Sequence, residues 1–193
     1  MNNDSPQLAS PGAGLPWLEL RLVRLRFGML RKRMSRVEID ALLESECFRV
    51  LALVDQCDSG KRMEPVLIKR VRGLEDSSRF WSVYMTLDHL RIVQNLIVRV
   101  ICALTHEKAH VLQPVSTAEV KPDPKAGENS VADFEESVSL IQKTIAAIPH
   151  LNTEMRQAHP WFGPLDVAGW HVLAALHLRI HRVQLERILA GLG

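Results

Sequence analysis

Between residue 35 and the C-terminus, apolar residues recur at three- and four-residue steps through four separate stretches, and no persuasive strand series accompanies them. Four amphipathic helices can bury their faces only against one another, so the expected fold is all-α, a four-helix bundle. Ser35 with Glu38 forms a capping box that opens the first helix, along which Ile39, Leu42, Leu43, Cys47, Val50, Leu51 and Val54 share helical spacing up to a stop near Asp58-Ser59-Gly60. A connecting segment runs to Phe80. The second helix begins near Trp81, carries Val83, Leu87, Leu90, Ile97, Ile101 and Leu104 on one face, and ends by Pro114 at the latest. Residues 113–130 hold Pro114, Pro122, Pro124 and Gly127, a composition for an extended crossover that permits a non-antiparallel neighbour. The third helix opens at Ser130-Val131-Ala132-Asp133, a second capping-box pattern, and is closed by Pro149. A loop containing His159-Pro160-Trp161-Phe162-Gly163-Pro164 then leads to a last helix capped by Asp166, with Trp170, Ala174, His177, His181, Leu185 and Ile188 facing inward.

The 193 residues, 47% of them hydrophobic, suffice for one core without disulfides, and Cys47, Cys57 and Cys102 are too few and too scattered for a disulfide framework. The start lacks the pattern of a secretory signal, and no apolar stretch approaches the roughly 20 residues of a membrane span, so a cytoplasmic protein without membrane contact is expected. Residues 1–34 divide from the bundle domain, 35–193. Residues 1–16, with three prolines and two glycines, read as a mobile tail, and the stretch that follows, with Leu20, Leu22, Leu25 and Phe27 between arginines, reads as a helix. Seven basic residues against Asp4 and Glu19 give residues 1–36 a net charge of +5, leaving −3 for the rest. This basic arm lacks aromatic platforms or a DNA-reading motif, so nucleic acid ranks last among its partners. Trp17–Arg33 reads instead as a solvated or dimer-forming arm, making a homodimer the expected assembly.

His177 and His181 stand one turn apart on one helix face, close enough for one ion to bridge them. They also fall on the core-facing side, where an unsatisfied ring would cost on the order of 1–3 kcal/mol unless it found a partner or ligand. His89, in the opening turns of another helix, can meet them across the bundle. Three neutral nitrogens plus water suit zinc, nickel or ferrous iron and leave a coordination position open. The bland alternative is a pair that faces solvent or hydrogen-bonds in the core. His159 would line the pocket if its loop folds over the open end of the bundle, or would simply shape the turn before Pro160. His150 and His171 read as surface or capping residues.

A rival motif is His106-Glu107-Lys108-Ala109-His110, the H-E-x-x-H order of zinc proteases, with Glu128 as a conceivable third ligand. Lys108 inside the motif, Pro114 soon after it and the lack of a strand edge for peptide substrate make this the weaker reading. There is no G-x-S-x-G elbow, glycine-rich phosphate loop or C-x-x-C pair. Cys47 and Cys102 read as packing residues.

The stretch from His159 to Leu165, then Trp170, then His177-Leu178-Arg179-Ile180-His181-Arg182-Val183-Gln184, resembles the C-terminal signature of DinB-like proteins, an uncharacterised branch in particular. Trp81-Ser82-Val83 followed by Thr86-Leu87-Asp88-His89-Leu90 is similar to that family's second-helix segment, where a histidine supplies the first ligand. The resemblance implies an up-down-down-up bundle, a zinc or nickel site at His89, His177 and His181, an orienting role for Gln184, and a thiol-dependent transferase or isomerase reaction on a small molecule with a low-molecular-weight thiol. This chain departs from that branch in having Ile180 where another histidine is common, and in its basic arm. The alternative function is a non-catalytic helical module that pairs through a helix face.

Overall fold

The computed structural model describes residues 6–106 and 116–193. Its helices are α1 (Trp17–Arg33), α2 (Arg36–Gln56), α3 (Val83–Thr105), α4 (Asn129–Ala146) and α5 (Val167–Leu192). The last four form the bundle, α3 packing on α4 and α5, and α2 on α5. Two short antiparallel ribbons decorate it. β1 (Val66–Leu67) pairs with β2 (Phe80–Trp81), and β3 (Gln157–His159) pairs with β4 (Gly163–Leu165), setting His159 opposite Gly163.

The helix starts follow local chemistry. The Ser35 capping box is complete, with Glu38 N–H donating to the Ser35 hydroxyl and Ser35 N–H donating to the Glu38 carboxylate at 2.7 Å. Ser82 accepts from Met85 N–H, and Asp166 accepts from Gly169 N–H at 2.8 Å, so α3 and α5 each begin with an orphan donor satisfied. At α4 the expected box does not form. Glu128 is the N-cap without a side-chain bond, and Ser130 lies inside the first turn, buried, its N–H donating to Gly127 O.

Cross-links between elements fix the direction of every bundle helix. Asp40 meets His171 near the starts of α2 and α5, while Lys61, beyond the end of α2, donates to Leu192 O at the end of α5, so these two helices are parallel. Arg36, opening α2, donates to Ile145 O and Ile148 O at the end of α4. Ser78, before α3, meets Gln184 late in α5, whereas His89, farther along α3, meets His177. Helices α3 and α4 therefore both oppose α2 and α5, giving the up-down-down-up order. Two parallel helices cannot share a tight turn, and the crossover is held instead by Asp123 N–H donating to Asp88 at the start of α3.

The core is built from residues the periodicity marks, among them Leu43, Leu87, Ile97 and Leu185, joined by Phe134 and Ile141 of α4, all fully buried and each contributing about 1.5–3 kcal/mol by leaving water. One charge interrupts the seam between α2 and α5. Glu46 is buried there and accepts from Arg182 at 2.5 Å, a pairing without which its desolvation would be strongly destabilising. Among the described residues no helix is long and apolar enough to cross a membrane.

Helix α1 lies outside the bundle, opposite in direction to α5. Its Glu19 pairs with Arg70 near the β1–β2 connection and its Arg31 with Asp166 at the start of α5, 2.6 Å apart. Between these ties Phe27 is buried and stacks on Phe162 with ring centres 4.2 Å apart. Trp17, Leu18, Leu22 and Leu25 remain exposed. The coil before α1 also touches the body, through Ala9 N–H to Asp76 and the buried Leu15.

Candidate metal centre

His177 and His181 stand on consecutive turns of α5, and antiparallel packing carries His89 of α3 against them. One potential ligand atom from each ring lies within 4.8 Å of the other two. Imidazole nitrogen ligates only through a lone pair, so the outward-facing atoms decide whether the trio can bind. His89 Nδ1 is 2.6 Å from Val120 O, an acceptor only, so the proton is on Nδ1 and Nε2 carries the lone pair. Gln184 is oriented by its amide, which donates to Ser78 O at 2.7 Å. That turns Oε1 toward His181 Nδ1, also at 2.7 Å, and again leaves Nε2 as the lone pair. The two rings are thus held by a backbone carbonyl and an amide oxygen, the kind of partner that fixes ligand orientation.

His177 differs. Its Nδ1 is buried without a partner among the described residues, and its Nε2 lies 3.2 Å from His89 Nε2. With a lone pair already on His89, this approach is stable only with a proton or a cation between the nitrogens. For bonds of 2.0–2.1 Å at tetrahedral angles the separation between two ligand nitrogens is about 3.3 Å, so the observed spacing fits an ion. Among the described residues the donor set is three borderline nitrogens with no thiolate or carboxylate, suited to zinc, nickel or ferrous iron.

The walls keep the rings neutral. Trp81 is buried and lies parallel to His181 with ring centres 5.9 Å apart, and tilts over His89 at 4.9 Å. Burial lowers His89 to about 4, and pushes His177 and His181 well below the ordinary imidazole value, with neighbouring imidazoles adding to the shift. Lys121 approaches the Trp81 face and is held by Glu75, Ser77 and Ser78; its charge further disfavours protonation of His89 and His181.

The trio lines one side of a cavity of about 1220 Å³ between α1, α3 and α5. His159 of β3 lines it too, so the loop does fold over the bundle, packing that histidine against Phe162 and Trp170. His171 departs from the surface position expected of it. It is fully buried with Nε2 2.9 Å from Asp40, because α5 is covered by α2 on the side away from the trio. His150 is exposed. Of the rival motif, His106 is the exposed C-cap of α3, and Glu107, Lys108, Ala109 and His110 lie outside the described residues; Glu128 is exposed at the start of α4. Cys47 is half-buried and its thiol is pushed up to about 11, chiefly by desolvation, which suits packing rather than nucleophilic attack. The carbonyl of Val120 was not legible in the sequence, since backbone acceptors carry no residue signal, and Asp88 was legible only as the neighbour of His89, not as the anchor of the crossover.

No family model matches the chain, and no curated protein matches it. Among solved structures it is similar to TT2238, a four-helix bundle protein, at a TM-score of 0.57 and 22% identity, the match covering 79% of this chain and 98% of that one. That likeness supports the fold alone.

Neutral buried imidazoles have a consequence for the metal-free protein. His89 and His159 titrate near 4 in the folded chain against an ordinary 6.5, so as pH falls below 6.5 the unfolded chain binds protons that the folded chain refuses. Their contribution is complete above 6.5 and is lost as pH falls toward 4. Thermal unfolding of chelator-treated protein across that range should show a falling Tm, with a shallower fall in His159→Phe; a flat profile would contradict the burial described.

Proposed function

We propose that this chain is a DinB-like metal protein in which His89, His177 and His181 bind one divalent ion, zinc, nickel or ferrous iron, and that it is a thiol-dependent transferase acting on a small molecule. The observation that carries the reading is the fixed tautomer of His89 and His181, whose Nε2 lone pairs converge beside His177. A bound ion with three neutral ligands would keep its positive charge and an open position, where it would lower the pKa of a low-molecular-weight thiol and hold the thiolate beside an electrophile. The chain's own part is positional. Gln184 and Val120 O hold two rings, and Trp81 and the buried walls limit water. The two windows that resemble DinB-like proteins contain these histidines and Gln184.

Protein purified without chelator should carry about one metal ion per chain by inductively coupled plasma mass spectrometry, and His177→Ala/His181→Ala should carry none while keeping its helical circular dichroism. Gln184→Leu should retain the fold and weaken metal affinity by about 10- to 100-fold. Absence of metal, with no uptake of zinc, nickel or iron on titration, would remove the reading.

A second reading rests on α1, where Leu18, Leu22, Leu25 and Met29 form an exposed apolar strip at helical spacing. It is the surface through which a homodimer would form, alone or together with the metal function. Sedimentation should then give a dimer that Leu18→Glu converts to a folded monomer; a monomeric native chain would rule this assembly out.

A further inference from the structure

The cavity extends beyond the three histidines, and its far end is rich in hydrogen-bond donors. Trp170 lies seven residues before His177 on α5, on the same face and about 10 Å away along the axis. It lines the cavity and is almost fully buried, and its indole N–H has no acceptor among the described residues. A buried donor left without a partner costs about 1–3 kcal/mol, so the position favours a ligand that supplies an acceptor. His159 packs against Trp170, with ring centres 5.6 Å apart, and its Nδ1 accepts from Trp161 N–H at 3.1 Å. The proton is therefore on Nε2, which makes a second donor.

Two arginines line the same cavity, Arg26 next to Phe27 on α1 and Arg99 on α3. Because α1 and α3 both run opposite to α5, each lies displaced from the histidines toward the Trp170 end. Among the described residues neither forms an ion pair, whereas the acids on the cavity wall are engaged, Glu19 by Arg70 and Gly73 N–H, and Glu75 by Lys121 and Thr117. Between this end and the histidines the wall carries Val93 and Leu96 of α3 and Leu173 of α5.

The geometry points to a binding site for a free, single-chain anionic amphiphile, its carboxylate-like head held at Arg26, Arg99, Trp170 and His159 and its apolar body directed along Leu173 and Val93 toward His89 and His177. Charge complementarity selects the head, and the apolar wall selects the body. The site shares its cavity with the proposed metal centre but needs no ion. It narrows the substrate of that centre to molecules whose reacting group lies roughly 10 Å from an anion, given the helical rise between Trp170 and His177.

Decanoate, used as the probe below its micellar concentration, tests this by isothermal titration against the full chain. Decanoate should bind, decan-1-ol should bind about tenfold more weakly or worse, and Arg26→Gln/Arg99→Gln should lose about tenfold in decanoate affinity, as expected for losing charge-assisted hydrogen bonds. Trp170→Phe, which keeps the ring but removes the donor, should weaken decanoate by more than decan-1-ol, because a carboxylate accepts more strongly than a hydroxyl. In His177→Ala/His181→Ala decanoate binding should persist, so failure of the metal reading and failure of this one are separately visible. Equal affinity for acid and alcohol, unchanged affinity in the arginine variant, or loss of decanoate binding in the folded histidine variant would overturn the proposal. So would a chain that dimerises through α1 and takes up no decanoate, which would give the open face to a second copy.

Discussion

Along the seam where α3 runs antiparallel to α5, Gln184 donates to Ser78 O and accepts from His181, while His89 of the facing helix donates to Val120 O. The first ties α5 to the segment just before α3, and together the three set the orientation of two rings and the nitrogens left with lone pairs. A shift of α3 by one turn would move His89 about 5.4 Å along α5 and dissolve the cluster. The seam is held elsewhere by apolar burial, with Leu87, Leu90 and Ile97 of α3 and Leu178 and Leu185 of α5 fully buried. Ordinary core packing thus carries the cost of preorganising the polar groups.

The crossover between α3 and α4 has two roles. Topologically it returns the chain to the same end of the bundle, so that α4 can lie parallel to α3. Chemically it delivers Val120 O to His89 and Lys121 to the Glu75 cluster beside Trp81. Asp88, adjacent to His89, anchors the crossover through Asp123 N–H and is itself held by Arg91, so the histidine's neighbour secures the histidine's support.

The four bundle helices were legible in the sequence because their signals are local and repeated. Ser35 and Asp166 cap helices as their spacing implies, and the apolar positions of α2, α3 and α5 face inward. Ser130 did not cap α4, since a capping pattern only permits a start and the chain here enters the helix with Glu128 already helical. The histidine trio was legible through two facts, the four-residue step between His177 and His181 and the position of His89 on a second helix; their actual meeting depends on register, which spacing does not encode. His171 shows the opposite limit. Periodicity assigns one buried face to α5, but α2 covers a second, and a helix enclosed on two sides hides residues that a single-face reading leaves at the surface. Trp170 and His159 were legible as an inward-facing and a pocket residue, but their meeting with Arg26 and Arg99 was not, since that end is assembled from α1, α3, β3 and α5.

The central claim is that three imidazoles, and no other side chains, hold one ion. X-ray absorption at the zinc edge of stoichiometrically loaded protein measures this directly. The expected spectrum has three imidazole nitrogens at about 2.0–2.1 Å with one further light atom, dropping to two imidazoles in His89→Ala. A first shell of oxygen alone, sulfur scattering from the cysteines, or a spectrum unchanged in His89→Ala would place the ion elsewhere and contradict the site.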